Sequence, residues 1–176
     1  MFLSAQNRYV SKQENFAKIP GSPVAYWASD AVISLYTHSI NAGNIAEFKH
    51  GMSTGKNEAV VRLWYEVIFD EIAFDKKSHD EFHQSAKRFV PYNKGGGYRK
   101  WYGNQEYIIG YDFEYDKLMD SFSGHRHDNK ESYFKTCISW SKVTSSGLAM
   151  RYFPEGFIYD VAGCSLFTKH EYIMGL

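Results

Sequence analysis

The sequence predicts an α+β domain in which several short helices accompany a mixed or antiparallel sheet. Three observations carry that expectation. Val61, Leu63, Tyr65, Val67 and Phe69 alternate with the period of a strand. Tyr115, Leu118, Met119 and Phe122 recur at i, i+3, i+4 and i+7, the period of a helix face. Thr144-Ser145-Ser146-Gly147 separates two apolar stretches and signals a hairpin. The 176 residues suit a single domain spanning 1–176. Hydrophobic residues at 44% against 23% charged exclude a disordered chain.

Taken in order, Ile19-Pro20-Gly21-Ser22-Pro23 bars regular structure, because two prolines and a glycine crowd five positions. Val24–Trp27 then reads as a short strand. Ser29 caps a helix to about His38, with Val32, Ile33 and Tyr36 inward. Ala59–Phe69 is expected as the strongest strand. Ser78-His79-Asp80-Glu81 forms a capping box opening a helix through Phe82, Ala86 and Phe89. Gly95-Gly96-Gly97 interrupts strands at Phe89–Tyr92 and Tyr98–Tyr102, and a further strand is expected at Glu106–Tyr111. Tyr133–Val143 and Leu148–Phe153 flank the hairpin turn. Phe157–Asp160 adds a strand, and Thr168–Leu176 begins a helix.

Lys and Arg total 20 and Asp and Glu total 20, which excludes a protein that coats nucleic acid by net charge. The charges are nevertheless segregated. Phe82–Gln105 holds Lys87, Arg88, Lys94, Arg99 and Lys100 without an acid, and Ser132–Pro154 holds Lys135, Lys142 and Arg151 without one. Glu58–Glu81 is rich in acids. Such segregation suits either two solvated faces or a groove that meets phosphate. No apolar run approaches the roughly 20 residues of a membrane span, and Met1–Arg8 lacks a signal-peptide pattern. Cys137 and Cys164 lack CxxC spacing and read as free thiols of a cytoplasmic protein.

Three motifs fail when checked. His79-Asp80-Glu81-Phe82-His83 places histidines at i, i+4, but Asp80 stands where a zincin needs Glu, so exposed helix histidines are expected. Gly51-Met52-Ser53-Thr54-Gly55-Lys56-Asn57 has three residues between its glycines and Asn after Lys, where a phosphate loop has four and a hydroxyl. His125-Arg126-His127-Asp128 offers ligands for metal or phosphate, with a solvated loop the plainer expectation. No nucleophile, base and oxyanion-donor set assembles, so no catalytic, cofactor or metal residue is assigned.

Five blocks stand out in order. They are Ile19-Pro20-Gly21-Ser22-Pro23-Val24-Ala25-Tyr26-Trp27, Thr54-Gly55-Lys56-Asn57 with Arg62-Leu63-Trp64-Tyr65-Glu66-Val67, the run from Phe89 through Pro91-Tyr92-Asn93-Lys94-Gly95-Gly96-Gly97 to Asn104, Ile138-Ser139-Trp140-Ser141, and Arg151–Asp160. Together they resemble the C-terminal part of the PglX family, adenine-specific DNA methyltransferases of BREX phage-defence systems, and of related type II restriction-modification enzymes. The resemblance covers about Lys12 to Leu176. It implies a target-recognition-domain-like fold, truncated at both ends, whose partner is double-stranded DNA. The family's S-adenosylmethionine-binding domain and its Asn-Pro-Pro-Tyr motif have no counterpart in this sequence, so no methyl transfer is expected from this chain alone.

A DNA-reading role suits particular residues. Lys94, Arg99 and Lys100 bracket the triple glycine, where backbone can approach a phosphate closely. Arg99 can instead pair bidentately with guanine, and Asn93 and Asn104 have the amide geometry for adenine. Trp101 and Tyr102 stack on a base or fill the core, with core expected for Trp101. Lys56, Asn57, Lys142 and Arg151 are further candidates, Arg151 alternatively pairing with Glu155 or Asp160. Two rivals stand beside DNA reading. One is a fragment that docks on a catalytic methyltransferase subunit or another phage-defence component, and the other is a gene remnant without function.

Overall fold

The computed structural model describes residues 9–170 and Ile173, and two units separate within them, one ending at Asn44 and the other beginning at Ile45. In the first unit a 3-10 turn, Gln13–Lys18, precedes helix α1, Asp30–His38. Ser29 caps α1 as expected, its Oγ accepting the Val32 N–H at 3.3 Å. Ile33 is buried, while Val32 and Tyr36 remain exposed. The expected strand at Val24–Trp27 is absent. Its backbone closes on itself instead, Ala25 N–H donating to Pro23 and Ala28 N–H to Ala25.

Among the described residues, the second unit holds eight named strands and three named α-helices. Strands β1 (Glu47–Lys49), β5 (Cys137–Ser141), β6 (Arg151–Phe153) and β8 (Gly163–Phe167) form an antiparallel sheet in the order β1-β8-β5-β6. Strands β2 (Val61–Leu63), β3 (Phe89–Asn93), β4 (Tyr107–Gly110) and β7 (Ile158–Tyr159) form a mixed sheet in the order β2-β4-β3-β7, with β3 and β7 parallel. Helices α2 (Asn57–Val60), α3 (His79–Gln84) and α4 (Phe113–Asp120) are short. The α+β expectation therefore holds.

All five residues of β3 are buried, as befits a strand covered on both faces. Pro91 is tolerated there because it falls between two partners on one side. Ile72 bridges Phe89, and β7 pairs only from Tyr92 onward, so no ladder bond needs the missing N–H. The main core joins Val90 and Tyr92 of β3 to Ile109 of β4, Phe82 of α3, Met119 of α4 and Ile158 of β7.

Several elements differ from expectation for identifiable reasons. The alternating run Ala59–Phe69 supplies only β2, followed by 3-10 turns at Trp64–Glu66 and Phe69–Glu71. The Glu66 carboxylate accepts the Leu63 N–H at 2.7 Å, and Tyr65 and Phe69 are exposed, so of the alternating residues Val61 and Val67 reach the core but the run makes no continuous buried face. Ser78 caps α3, but Ala86 takes φ +55° beyond its end, and Phe89 enters β3 rather than the helix. Tyr98–Tyr102 forms no strand beyond a single bridge from Trp101 to Arg151. The hairpin is present with shorter strands, Cys137 opposite Phe153 and Ser139 opposite Arg151. Strands β1 and β8 were not expected. Of the helix expected at Thr168–Leu176, residues 171, 172 and 174–176 lie outside the described residues.

Candidate nucleic-acid interface

The segment after β3 is built by glycine and asparagine. Gly95 and Gly96 have φ of +76° and +118°, and a Cβ on Gly95 would stand 2.8 Å from the Ala162 carbonyl oxygen. Asn93 Oδ1 accepts the Gly95 N–H at 3.1 Å, and Asn104 Nδ2 donates to the Gly97 carbonyl at 2.9 Å. Ser141 Oγ, at the end of β5, donates to the Gly96 carbonyl at 2.7 Å. Trp101 N–H donates to Met150 at 2.8 Å, and Tyr152 N–H donates to Trp101 at 2.9 Å. The glycine loop is thus stitched to the end of β5 and the start of β6, three segments distant in sequence.

This stitching sorts the candidate residues. Arg99, Lys100 and Lys142 are exposed, and among the described residues none forms an ion pair. The Lys100 ammonium lies 5.3 Å from the Trp101 ring centroid. Lys94 is half-buried, and desolvation pulls its pKa down against the attraction of Asp160 and Glu58. Lys56 and Asn57 are exposed on α2 and its flank, with Asn57 Oδ1 accepting the Thr54 hydroxyl at 2.8 Å. No hydrogen bond among the described residues ties that pair to the glycine loop.

Asn93, Asn104 and Arg151 occupy structural positions that the sequence did not suggest. Asn93 is 0% exposed, and its Nδ2 donates to Ser139 Oγ at 2.7 Å, so its amide has no free edge for adenine. Asn104 is 8% exposed and holds the loop carbonyl just described. Arg151 is 1% exposed and pairs with neither Glu155 nor Asp160. Glu155 pairs with Lys77 at 3.0 Å, and Asp160 accepts the Tyr92 hydroxyl at 2.6 Å. The Arg151 guanidinium instead meets backbone carbonyls and a hydroxyl, and burial pulls its pKa down. It lines a recess with Gly96, Gly97, Tyr98 and Ser141.

The other cations of the basic stretch are engaged elsewhere. Arg88 pairs with Asp112 at 3.0 Å and Glu114 at 3.3 Å, and Lys87 donates to the Asp70 carbonyl. Trp101, expected in the core, is 59% exposed and adopts φ +73°, an unusual conformation for a bulky residue. Its two backbone bonds to β6 and the residue before it hold that geometry. Tyr98, Tyr102 and Tyr152 are also exposed, so an aromatic surface accompanies the cations. Sequence reading missed this surface because a tryptophan's hydrophobicity does not report its backbone conformation.

The histidines are more buried than expected. His79 and His83 are both half-buried. His79 Nε2 lies 3.1 Å from the Lys130 carbonyl and Nδ1 lies 3.0 Å from the Tyr111 hydroxyl, so both nitrogens are occupied. His83 stacks on Phe113 with centroids 4.6 Å apart. Cys137 and Cys164 are free thiols, and burial pushes Cys137 up to about 12, far from nucleophilic at neutral pH. Among the described residues no helix is long and apolar enough to cross a membrane.

The chain matches one segment of a class of enzymes, the adenine-specific methyltransferases. It is 40% identical over 169 residues to the adenine-specific methyltransferase PglX of Lacticaseibacillus casei (strain Zhang), covering 92% of this chain and 14% of that protein. It is 36% identical over 160 residues to the adenine-specific methyltransferase BrxX of Escherichia coli O9:H4 (strain HS), covering 90% of this chain and 12% of that protein. The chain therefore spans less than a sixth of the length of either relative, and it is related to BREX-type methyltransferases as its sequence blocks implied. No protein-family model matches it.

Proposed function

We propose that this chain is a DNA-contacting target-recognition region of a BREX-type adenine-specific methyltransferase. One observation carries the reading. Arg99, Lys100 and Lys142 are exposed, without ion-pair partners among the described residues, on segments hydrogen-bonded into one cluster around the glycine loop. Methylation of a base in duplex DNA requires its extrusion into a pocket. A separate surface must then hold and read the flanking duplex, which cations and aromatic side chains on a glycine-shaped loop are equipped to do. In this reading S-adenosylmethionine and the methyl-transfer chemistry belong to the rest of such an enzyme, and the chain alone transfers no methyl group.

Titration of a fluorescent duplex with the chain, followed by anisotropy, tests the reading. The expected result is binding that weakens steeply with salt and falls in the Arg99→Ala/Lys100→Ala variant. A second reading, docking on a methyltransferase polypeptide, is favoured by exposed Trp64, Tyr65, Ile68, Phe69 and Phe74, an apolar surface within one short stretch. Its signature is the reverse result. The chain would bind no duplex but would be retained by a relative of the methyltransferase class from which this segment has been deleted.

A further inference from the structure

Asp116 on α4 and His125 and His127 in the loop after it bring three possible ligand atoms within 4.8 Å of one another. The His125 side chain is 5% exposed. Its Nδ1 lies 2.8 Å from the Ser53 carbonyl oxygen, which can only accept, so Nδ1 carries the proton and Nε2 presents a bare lone pair. That Nε2 is buried without a hydrogen-bond partner, while Asp120 Oδ1 stands 3.7 Å away. His127 Nε2 lies 2.8 Å from Asp116 Oδ1. An ionised carboxylate also only accepts, which leaves His127 Nδ1 as a second buried lone pair with no partner. The two rings meet edge to face with centroids 4.6 Å apart. Buried polar atoms are rarely left unpaired, and two adjacent imidazole lone pairs lack the same thing, an electron-pair acceptor.

We propose that His125 and His127 ligate a divalent transition-metal cation of the zinc type, with Asp116 orienting His127 through the Nε2–H it accepts. Two imidazoles and the Asp120 carboxylate, 3.7 Å from His125 Nε2, suit zinc, whose fourth position is filled by water. Calcium and magnesium select oxygen ligands and are disfavoured by this set. The bond from His125 Nδ1–H to the Ser53 carbonyl is the kind of outer contact that orients a metal-ligating histidine. Around zinc, ligand atoms stand roughly 3.4 Å apart, so side-chain rotation closes the cluster by about an ångström. The ion then ties α4 to the loop carrying His125 and His127. Ser53 and Arg126 exchange backbone hydrogen bonds of 3.0 Å, which extends that tie to the segment preceding Lys56. The role is structural.

The test uses the whole chain, stripped with a chelator and titrated with zinc alone by calorimetry. One equivalent should bind and raise the melting temperature. Asp116→Asn should weaken that binding at least ~10-fold, and His127→Gln should do the same. Asp116 does not cap α4, since Asp112 does, so its replacement leaves the helix start intact. If the histidine variant does not fold, ring-nitrogen shifts of His125 and His127 in the native chain on zinc addition replace it. Movement of both supports the site. No stoichiometric uptake, uptake without movement of those shifts, or undiminished affinity in Asp116→Asn overturns it.

Discussion

Arg151 Nη2 donates to Ser141 Oγ over 3.1 Å, and the same hydroxyl donates to the Gly96 carbonyl over 2.7 Å. A buried cation is thereby linked to a loop whose neighbours Arg99 and Lys100 are exposed. Arg151 Nη1 reaches the Arg99 and Ala149 carbonyls, both at 3.4 Å, and its Nε has no partner. A guanidinium taken out of water without a carboxylate is an unfavourable arrangement for stability. An anion arriving at the glycine loop would offset it.

Arg151→Met should therefore keep the fold within about 1 kcal/mol of the parent, because it removes a poorly compensated charge at similar volume. It should also weaken duplex binding. Arg151→Ala loses the same guanidinium bonds but also leaves a cavity, and should cost about 3 kcal/mol. Urea unfolding checks both, and a Met variant as unstable as the Ala variant would show that the guanidinium bonds, not the charge, matter to the fold.

Asn93→Ala should cost about 2 kcal/mol, since it strands the Gly95 N–H and removes the bond to Ser139 at a fully buried position. Its folded fraction should bind duplex DNA with the parent's salt dependence. A changed salt slope with unchanged stability would mean that Asn93 reaches the ligand after all.

Acid should loosen the structure through His79. Nε2–H donates to the Lys130 carbonyl and Nδ1 accepts from Tyr111, a neutral tautomer, and burial lowers its pKa from 6.5. The unfolded chain then binds a proton that the folded chain resists. Stability should fall as pH drops below about 6.5 and stay level above it, by the usual linkage. His79→Gln should flatten this dependence between about pH 7.5 and about pH 5.5. Melting temperatures measured across that range decide, and an identical pH profile in the variant would remove His79 as the cause.

Much of the architecture was legible where local chemistry and tertiary context agree. Ser29 and Ser78 sit at helix starts, and the Thr144–Gly147 turn lies in a real hairpin. The Ala59–Phe69 alternation misled because a side chain, Glu66, satisfied the backbone that a neighbouring strand would have paired. Strand β8 was hidden by its residues, since Gly163, Cys164 and Ser165 carry no strong strand preference and become central only between β1 and β5. At the candidate interface, charge segregation picked out Arg99, Lys100 and Lys142 as exposed cations. It gave no warning that Arg88 meets Asp112, or that Asn93 and Arg151 turn inward, because those partners come from elsewhere in the chain.

The salt dependence of duplex binding tests the proposed interface most directly. With Lys56, Lys94, Arg99, Lys100 and Lys142 each releasing about one counterion, log affinity should fall against log salt with a slope of about −4.5. In the Arg99→Ala/Lys100→Ala/Lys142→Ala variant the slope should flatten to about −2. Arg88→Ala should leave it unchanged, since Asp112 and Glu114 already neutralise that side chain. A triple variant that keeps the parent slope, or a parent chain that binds no duplex at low salt, would contradict a DNA-contacting role for the glycine loop.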